Sequence, residues 1–389
     1  MPAPLPPKVV VFGAGATGRA HVGLLAWQAG ARMVFVDIDA PLVRALQRAG
    51  AYRVVLYDGH DRQDIEVTGA AFLHASDRGL AAEEIVDATL VLTAVFDQNL
   101  PDIAETLALS MRLCRERGRQ TPLNVIACEN MQDSSSTLGR HVRERLNAPD
   151  RAWCEKYVGF PDCMISRVVP RPESDPLVVV GEDYNEWTVR REDFKGEPPA
   201  WLAAMELVDN QTARLERKLF MHNGGHAVCG YLGFHYGHRF IHEAVADPRV
   251  ARHVIAACNQ IGDVVRRKHG FSTESIEHYK NDLYRRGAIA QMRDQVLRVV
   301  RQPLRKLGAN ERLLGPARLA GQYGLPRDAI VHGIVAALRY AHPDDAQSLE
   351  LQDMVARQGV HAVMLDVSHL DPQDALLGEI EQAWSQWRL

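Results

Sequence analysis

Short runs of consecutive apolar residues mark the first half of the chain: Lys8 to Phe12 (KVVVF), MVFVD ending at Asp37, Thr89 to Val95 (TLVLTAV) and Asn124 to Cys128 (NVIAC). Runs this short, without polar alternation, predict strands buried on both faces, as in parallel sheets. Between the first two stands RAHVGLLAWQAG, a helical stretch that ends at Gly30. Strand and helix in alternation predict a doubly wound α/β layer. From Tyr157 to Arg190, β-branched runs alternate with turn residues, which predicts further strands added to the sheet. Past FKGEPPA (residues 194–200) the pattern changes. From Trp201 onward it is almost wholly helical, with Gly224-Gly225, Pro303 and Pro326 as expected caps and breakers. The predicted layout is an α/β domain at residues 1–197 and a mainly α-helical domain at 198–389.

Composition narrows the class. With 389 residues, 46% hydrophobic and 24% charged, the chain is globular and long enough for two domains. A net charge of −4, mixed along the chain, does not suggest a nucleic-acid surface. The six cysteines show no CxxC pair and no metal-ligand spacing with histidine, so reduced, buried thiols are expected and no metal site. No run of about 18 apolar residues occurs, and the N-terminus does not read as a signal peptide. A soluble, cytoplasmic protein is expected, a monomer or small homo-oligomer.

The first strand runs directly into GAGATG, Gly13-Ala14-Gly15-Ala16-Thr17-Gly18, and the second closes on Asp37, about 20 residues further on. Between strand and helix, this spacing is a dinucleotide fingerprint. Gly13 allows the tight turn, Gly15 lets the backbone approach a pyrophosphate, and Gly18 lets helix and strand pack closely. The fold predicted for residues 1–197 is therefore a Rossmann-type domain. An acid at Asp37 accepts from the ribose hydroxyls and repels a 2′-phosphate, which favours NAD over NADP. In such sheets, ligands lie beyond the carboxyl ends of the strands. Thr93, Ala94, Val95 and Glu129 are accordingly expected near the cofactor. Asn130 follows Glu129; it either meets the substrate or caps the next helix.

The stretch RLERKLFMHNGGHAVCGYLG, Arg214 to Gly233, reads as a helix that plants Lys218, Asn223 and His226 among apolar residues. At about 100° per residue, Lys218, His226 and Asn223 fall at roughly 0°, 80° and 140°, so all three can face one pocket. Burial lowers a lysine pKa, which suits a general base near neutrality. The bland alternative is a snorkelling lysine, a satisfied amide and a core histidine.

With these pieces in place, the chain resembles the polyol-specific long-chain dehydrogenases. The stretches that carry the likeness are FGAGATGR, ACENM, the run from VGF to VVP, EWTV, ERKLF, the NGGHAVCGYLG segment, RQPLRKL and YGLP. Within the family the likeness is strongest to the enzymes of mannitol 1-phosphate. The resemblance implies a metal-independent, NAD-dependent secondary-alcohol dehydrogenase. Lys218 would be the general base, Asn130 and Asn223 would donate to the developing alkoxide, and His226 would bind and orient the substrate.

Four stretches depart from the family pattern: Ile165-Ser166-Arg167 where relatives read VDR, so that Ser166 stands for the aspartate; Phe96 after TAV; RRGAIAQMRDQVLRVVRQPLRKL, with Ala288-Ile289-Ala290 in place of an Asn-Pro segment; and His222 beside Asn223. Ser166 and Arg167 are expected to bind substrate. Arg301, Arg305 and Lys306 are the candidates to cradle a phosphate, unless they pair with surface carboxylates or cap a helix. Interconversion of mannitol 1-phosphate and fructose 6-phosphate leads. Another polyol or a sugar acid such as a hexuronate comes second, and a non-catalytic NAD-binding protein is the reading from a different class.

Overall fold

The structure, a computed structural model, describes residues 5–170 and 175–388. It separates into two compact units, Met1–Arg214 and Leu215–Leu389.

Among its described residues, the first unit has twelve strands: β1 (Lys8–Phe12), β2 (Arg32–Asp37), β3 (Ala51–Asp58), β4 (Asp61–Thr68), β5 (Ala71–His74), β6 (Leu90–Thr93), β7 (Leu123–Ala127), β8 (Val158–Gly159), β9 (Cys163–Ser166), β10 (Val178–Glu182), β11 (Glu186–Arg190) and β12 (Glu206–Val208). Six of them form one sheet in the order β5-β2-β1-β6-β7-β8, every neighbour parallel. Every residue of β1 is buried, for the reason its apolar run suggests. Successive side chains of a strand point to opposite faces. Val9 and Val11 enter one core with Met33, Phe35, Leu90 and Leu92, and Val10 and Phe12 enter another with Val34, Val36, Val91 and Val125. Lys8 opens the strand with its ammonium paired to Glu84 at 2.6 Å and to Asp87. Strand order runs outward from β1 in one direction and from β6 in the other, which leaves a crevice at their carboxyl ends, the place where such sheets take ligands.

The strands expected between Tyr157 and Arg190 do form, but only β8 joins the main sheet. The others make two three-stranded sheets, β10-β3-β4 and β12-β11-β9. β10 runs parallel to β3, and β9 pairs antiparallel with β11. Residues 171–174 of this stretch lie outside the described residues. The pairing of Thr188–Arg190 with Glu206–Val208 carries the first unit past the 194–200 linker, so the division falls later than residue 197.

The second unit is helical. Gln211–Arg217, Lys218–Gly224 and Gly225–His235 follow one another without a break. Gly224 and Gly225 hold ordinary right-handed helical angles (φ −69° and −58°), so this pair is no breaker. Their use is close approach. A Cβ on Gly225 would stand 2.7 Å from Cys258 Sγ, and one on Gly230 would stand 2.8 Å from Val299. The Gly225–His235 helix is thereby buried almost all round, against Pro248–His269, Val296–Val300 and Asp328–Leu338. Pro303 and Pro326 do stand where helices begin or end. All six cysteines are buried free thiols. Among the described residues, no helix is long and apolar enough to cross a membrane.

Candidate active site

In the first unit the site grows from the glycine loop. Gly13 has φ +99°, and a Cβ there would lie 2.4 Å from the Ala94 carbonyl oxygen. Only glycine fits that turn. A Cβ on Gly18 would fall 1.9 Å from the Gly13 carbonyl oxygen, which is how closely helix and loop pack. Around Gly15 the opposite holds: an added Cβ would meet no atom within 4 Å. The loop therefore presents bare backbone at the one glycine assigned to a pyrophosphate, and these residues fit a dinucleotide. Asp37 braces the loop, accepting from the Ala14 N–H at 2.5 Å and from the Asp39 N–H at 2.8 Å. A carboxylate has about four lone-pair sites, so acceptor capacity remains for a ribose. Ala16 and Thr17 are partly accessible.

The chain after Gly18 winds through a turn of π-type bonding, Gly18–Val22, before Gly23–Gln28. Arg19, which is buried, and Arg167, which is half-buried, hold it. Arg19 donates to the Pro176 carbonyl at 2.6 Å. Arg167 donates to the carbonyls of Ala20 (2.6 Å), Tyr184 (3.0 Å) and Asp183 (3.1 Å). Burial holds the Arg167 guanidinium down at about 10, opposed by Asp183 and Glu182. Arg167, expected to bind substrate, is thus engaged with main chain. Its neighbour Ser166 is buried at the end of β9.

At the carboxyl ends of β6 and β7, Glu129 is buried and takes two hydrogen bonds on one oxygen, from the Thr93 hydroxyl (2.6 Å) and the Val95 N–H (3.1 Å). Burial raises its carboxyl to about 7, against the lowering effect of those donors, with a further push up from Asp97. Phe96 points to solvent, 60% exposed, at the mouth of the same loop. Asn130 is exposed and does not cap the next helix, because Ser134–Glu144 starts after Asp133. That helix is pinned to the strand end, with Ser134 donating to the Ala127 carbonyl at 2.5 Å and the Ala127 N–H donating to Ser135 at 2.8 Å. The loop bearing Glu129 and Asn130 is therefore held at both its ends.

In the second unit Lys218 opens a second π-type turn, Lys218–Gly224, and Asn223 lies inside it. Such turns add a residue to the helical repeat, so a wheel drawn for an α-helix does not describe this face; they recur at functional sites. Lys218, His222, Asn223 and His226 are all partly accessible. His222 keeps some accessible surface yet is surrounded by protein. Loss of hydration, then the charges of Arg286, His226, Lys218 and Arg298, hold its imidazole well below the usual value. Its ring centre lies 5.6 Å from that of His226. His226 Nε2 meets Asp294 Oδ2 at 3.0 Å. Asp294, Arg286 and Arg298 come from the stretch whose sequence departs from the family pattern. Sequence reasoning did not single them out, and only the acid-to-arginine spacing of Asp294 and Arg298 offered a signal.

The presumed phosphate cradle is arranged differently from expectation. Lys306 is buried and its ammonium turns inward, donating to the carbonyls of Val299 and Arg301. Burial lowers it to about 7, with help from Arg312, Arg305, Arg301 and Arg298. Arg301 and Arg305 are exposed, the latter 3.7 Å from Glu311.

Comparison with known proteins places this geometry. The chain matches the family model of the mannitol dehydrogenase Rossmann domain over residues 7–203 and that of the mannitol dehydrogenase C-terminal domain over residues 212–387. Among solved structures, mannitol 2-dehydrogenase of Pseudomonas fluorescens, in ternary complex with NAD and D-mannitol, is similar with a TM-score of 0.77. Identity is 17%, and the match covers 99% of this chain and 92% of that one. A D-sorbitol dehydrogenase in substrate-free form gives a TM-score of 0.82 at 16% identity, covering 98% and 93%. At such identities the likeness speaks for the fold. The two domain matches span nearly the whole sequence, and the chain belongs to the mannitol dehydrogenase family of polyol dehydrogenases.

Proposed function

We propose that this protein is an NAD-dependent secondary-alcohol dehydrogenase that interconverts mannitol 1-phosphate and fructose 6-phosphate. The observation that carries the redox reading is the glycine loop: tightly turned at Gly13, bare at Gly15 and braced on Asp37, it fits a dinucleotide. Mannitol 2-dehydrogenase of Pseudomonas fluorescens, a relative in fold, binds NAD. When bound, the nicotinamide supplies the carbon that takes or gives the hydride. Lys218 takes the proton of the hydroxyl being oxidised and returns it on reduction. Asn130 and Asn223 donate hydrogen bonds to the oxygen as it gains alkoxide character. His226 orients the substrate through a neighbouring hydroxyl. Arg301 and Arg305 supply positive charge for a phosphate, with Lys306 as a buried support behind them.

One observation favours a second reading, the same chemistry on an unphosphorylated polyol or a sugar acid such as a hexuronate. With Lys306 spent on main-chain carbonyls, the cradle has fewer outward cations than a phosphate commonly meets. The test is NADH oxidation, followed by nicotinamide absorbance, with fructose 6-phosphate, fructose, fructuronate and tagaturonate. Activity confined to fructose 6-phosphate supports the leading reading. Turnover of another member with fructose 6-phosphate ignored replaces it with the second. Silence across the panel with NADH still bound would overturn both.

A further inference from the structure

His226 and Asp294 come from separate elements of the second unit and meet at 3.0 Å, Nε2 to Oδ2. Arg298 forks onto the same carboxylate, Nε to Oδ1 at 2.6 Å and Nη2 to Oδ2 at 2.8 Å, so Oδ2 serves both His226 and Arg298. Its main chain is tied as well: the Asp294 carbonyl accepts from the Ile241 N–H at 2.8 Å, and Gln295 bridges to Phe240. Only 10% of the Asp294 side chain is exposed, against 47% for Arg298. Burial by itself would raise the carboxyl, but the hydrogen bonds and charges of His226 and Arg298 outweigh it and hold the group well below the usual carboxylate range. An ionised carboxylate only accepts, so the shared hydrogen sits on His226 Nε2. That leaves Nδ1 as the nitrogen available to another partner.

We propose that Asp294 is a positioning residue: buttressed by Arg298, it fixes the ring and the tautomer of His226 so that Nδ1 meets a hydroxyl of the substrate. The proposal rests on the reading of His226 as the substrate-orienting group. Holding one imidazole nitrogen with a carboxylate is a general way to set what the other presents. The alternative, a surface ion pair that merely decorates a helix, does not account for the geometry. The carboxylate is the least exposed member and ties the partly accessible His226 to Arg298 through a shared oxygen, while an exposed pair contributes little. Lys218, His222 and Arg286 are the other charged or titratable groups around this cluster.

The experiment uses the full chain labelled with ¹⁵N-histidine, with His226→Gln to assign the ring signals. In the wild type, His226 should be protonated on Nε2. In Asp294→Asn and Asp294→Ala the ring should shift to mixed tautomers. In the same variants kcat/KM for the best substrate should fall roughly tenfold or more, the scale of one charge-assisted hydrogen bond. NADH affinity should be kept. If Asp294→Ala melts early, Asp294→Asn, which is nearly the same size, serves in its place. An unchanged tautomer in Asp294→Asn overturns the proposal whatever the kinetics. A changed tautomer with unchanged kcat/KM overturns it too, and full activity in His226→Gln would then show that the assigned role of His226 is what failed.

Discussion

Thr93 donates its hydroxyl to Glu129 Oε1 at 2.6 Å, a bond that joins the carboxyl ends of β6 and β7 beside the reversal of strand order. The same oxygen accepts from the Val95 N–H, so one buried carboxyl holds the loop that carries Ala94, Val95 and Phe96. The carboxyl stands at about 7 in the fold against 4.5 for an ordinary glutamate. Between those values the native state keeps a proton that the unfolded chain has released. Stability should therefore fall as pH rises through this window and level off above it, by at most ~3 kcal/mol. Glu129→Gln keeps an acceptor for both donors and removes the titration. Urea midpoints measured from about pH 4.5 to 7.5 should decline less steeply in Glu129→Gln than in the wild type; parallel curves would mean that Glu129 is not the group responsible.

Lys218→Ala should lower turnover by roughly 10²–10⁴-fold, the usual contribution of a general base. NADH binding should persist, because the glycine loop belongs to the first unit. Stopped-flow turnover and NADH titration of the same preparation give both numbers. Turnover near wild type would remove the lysine from the mechanism.

Two glycines of one loop should fail in different ways. Gly13→Ala places a methyl 2.4 Å from the Ala94 carbonyl oxygen on a residue at φ +99°, so it should melt earlier, by about 1–3 kcal/mol, and bind NADH poorly. Gly15→Val adds atoms where nothing lies within 4 Å. It should melt like the wild type and still lose NADH affinity. Calorimetry together with NADH fluorescence titration separates the cases; tight binding by Gly15→Val would mean that no pyrophosphate lies against this residue.

Lys306 and Arg305 should also part company. Lys306 stands at about 7 in the fold, against 10.5 for an ordinary lysine. Between those values the unfolded chain holds a proton that the native state lacks, so this group's contribution raises stability as pH climbs from about 7 toward 10.5. Lys306→Met should lose that dependence and leave two carbonyls unpartnered, at a cost of about 1–3 kcal/mol. Arg305→Ala should instead raise KM for a phosphorylated substrate while melting unchanged. Chemical denaturation across pH and steady-state kinetics decide it. A raised KM in Lys306→Met with full stability would return this lysine to the cradle.

Much of the frame was legible along the chain because it depends on local regularity. KVVVF and TLVLTAV announced buried strands, since a run with no polar face must be covered on both sides. GAGATG with Asp37 announced its turn because φ +99° admits only glycine. Lys218, Asn223 and His226 were recognisable as polar intruders on an apolar helix. The reading of Gly224-Gly225 as a breaker failed for the converse reason. A glycine that ends a helix and one that admits a neighbour look alike until the neighbour, here Cys258, is in place.

The sequence by itself determined the order of strands and helices, the position of the glycine loop and the set of residues from which a site can be made. Only the tertiary structure decided partners. It set Arg167 against the Ala20 carbonyl, turned Lys306 onto Val299 and Arg301, and brought Asp294 to His226. The physical reason is range. Dihedral preference and hydrophobic period act over a few neighbouring residues and leave their mark in the spacing of the sequence. A hydrogen-bond partner is settled only when distant segments are packed together, and a buried polar group then takes whichever acceptor lies within about 3 Å.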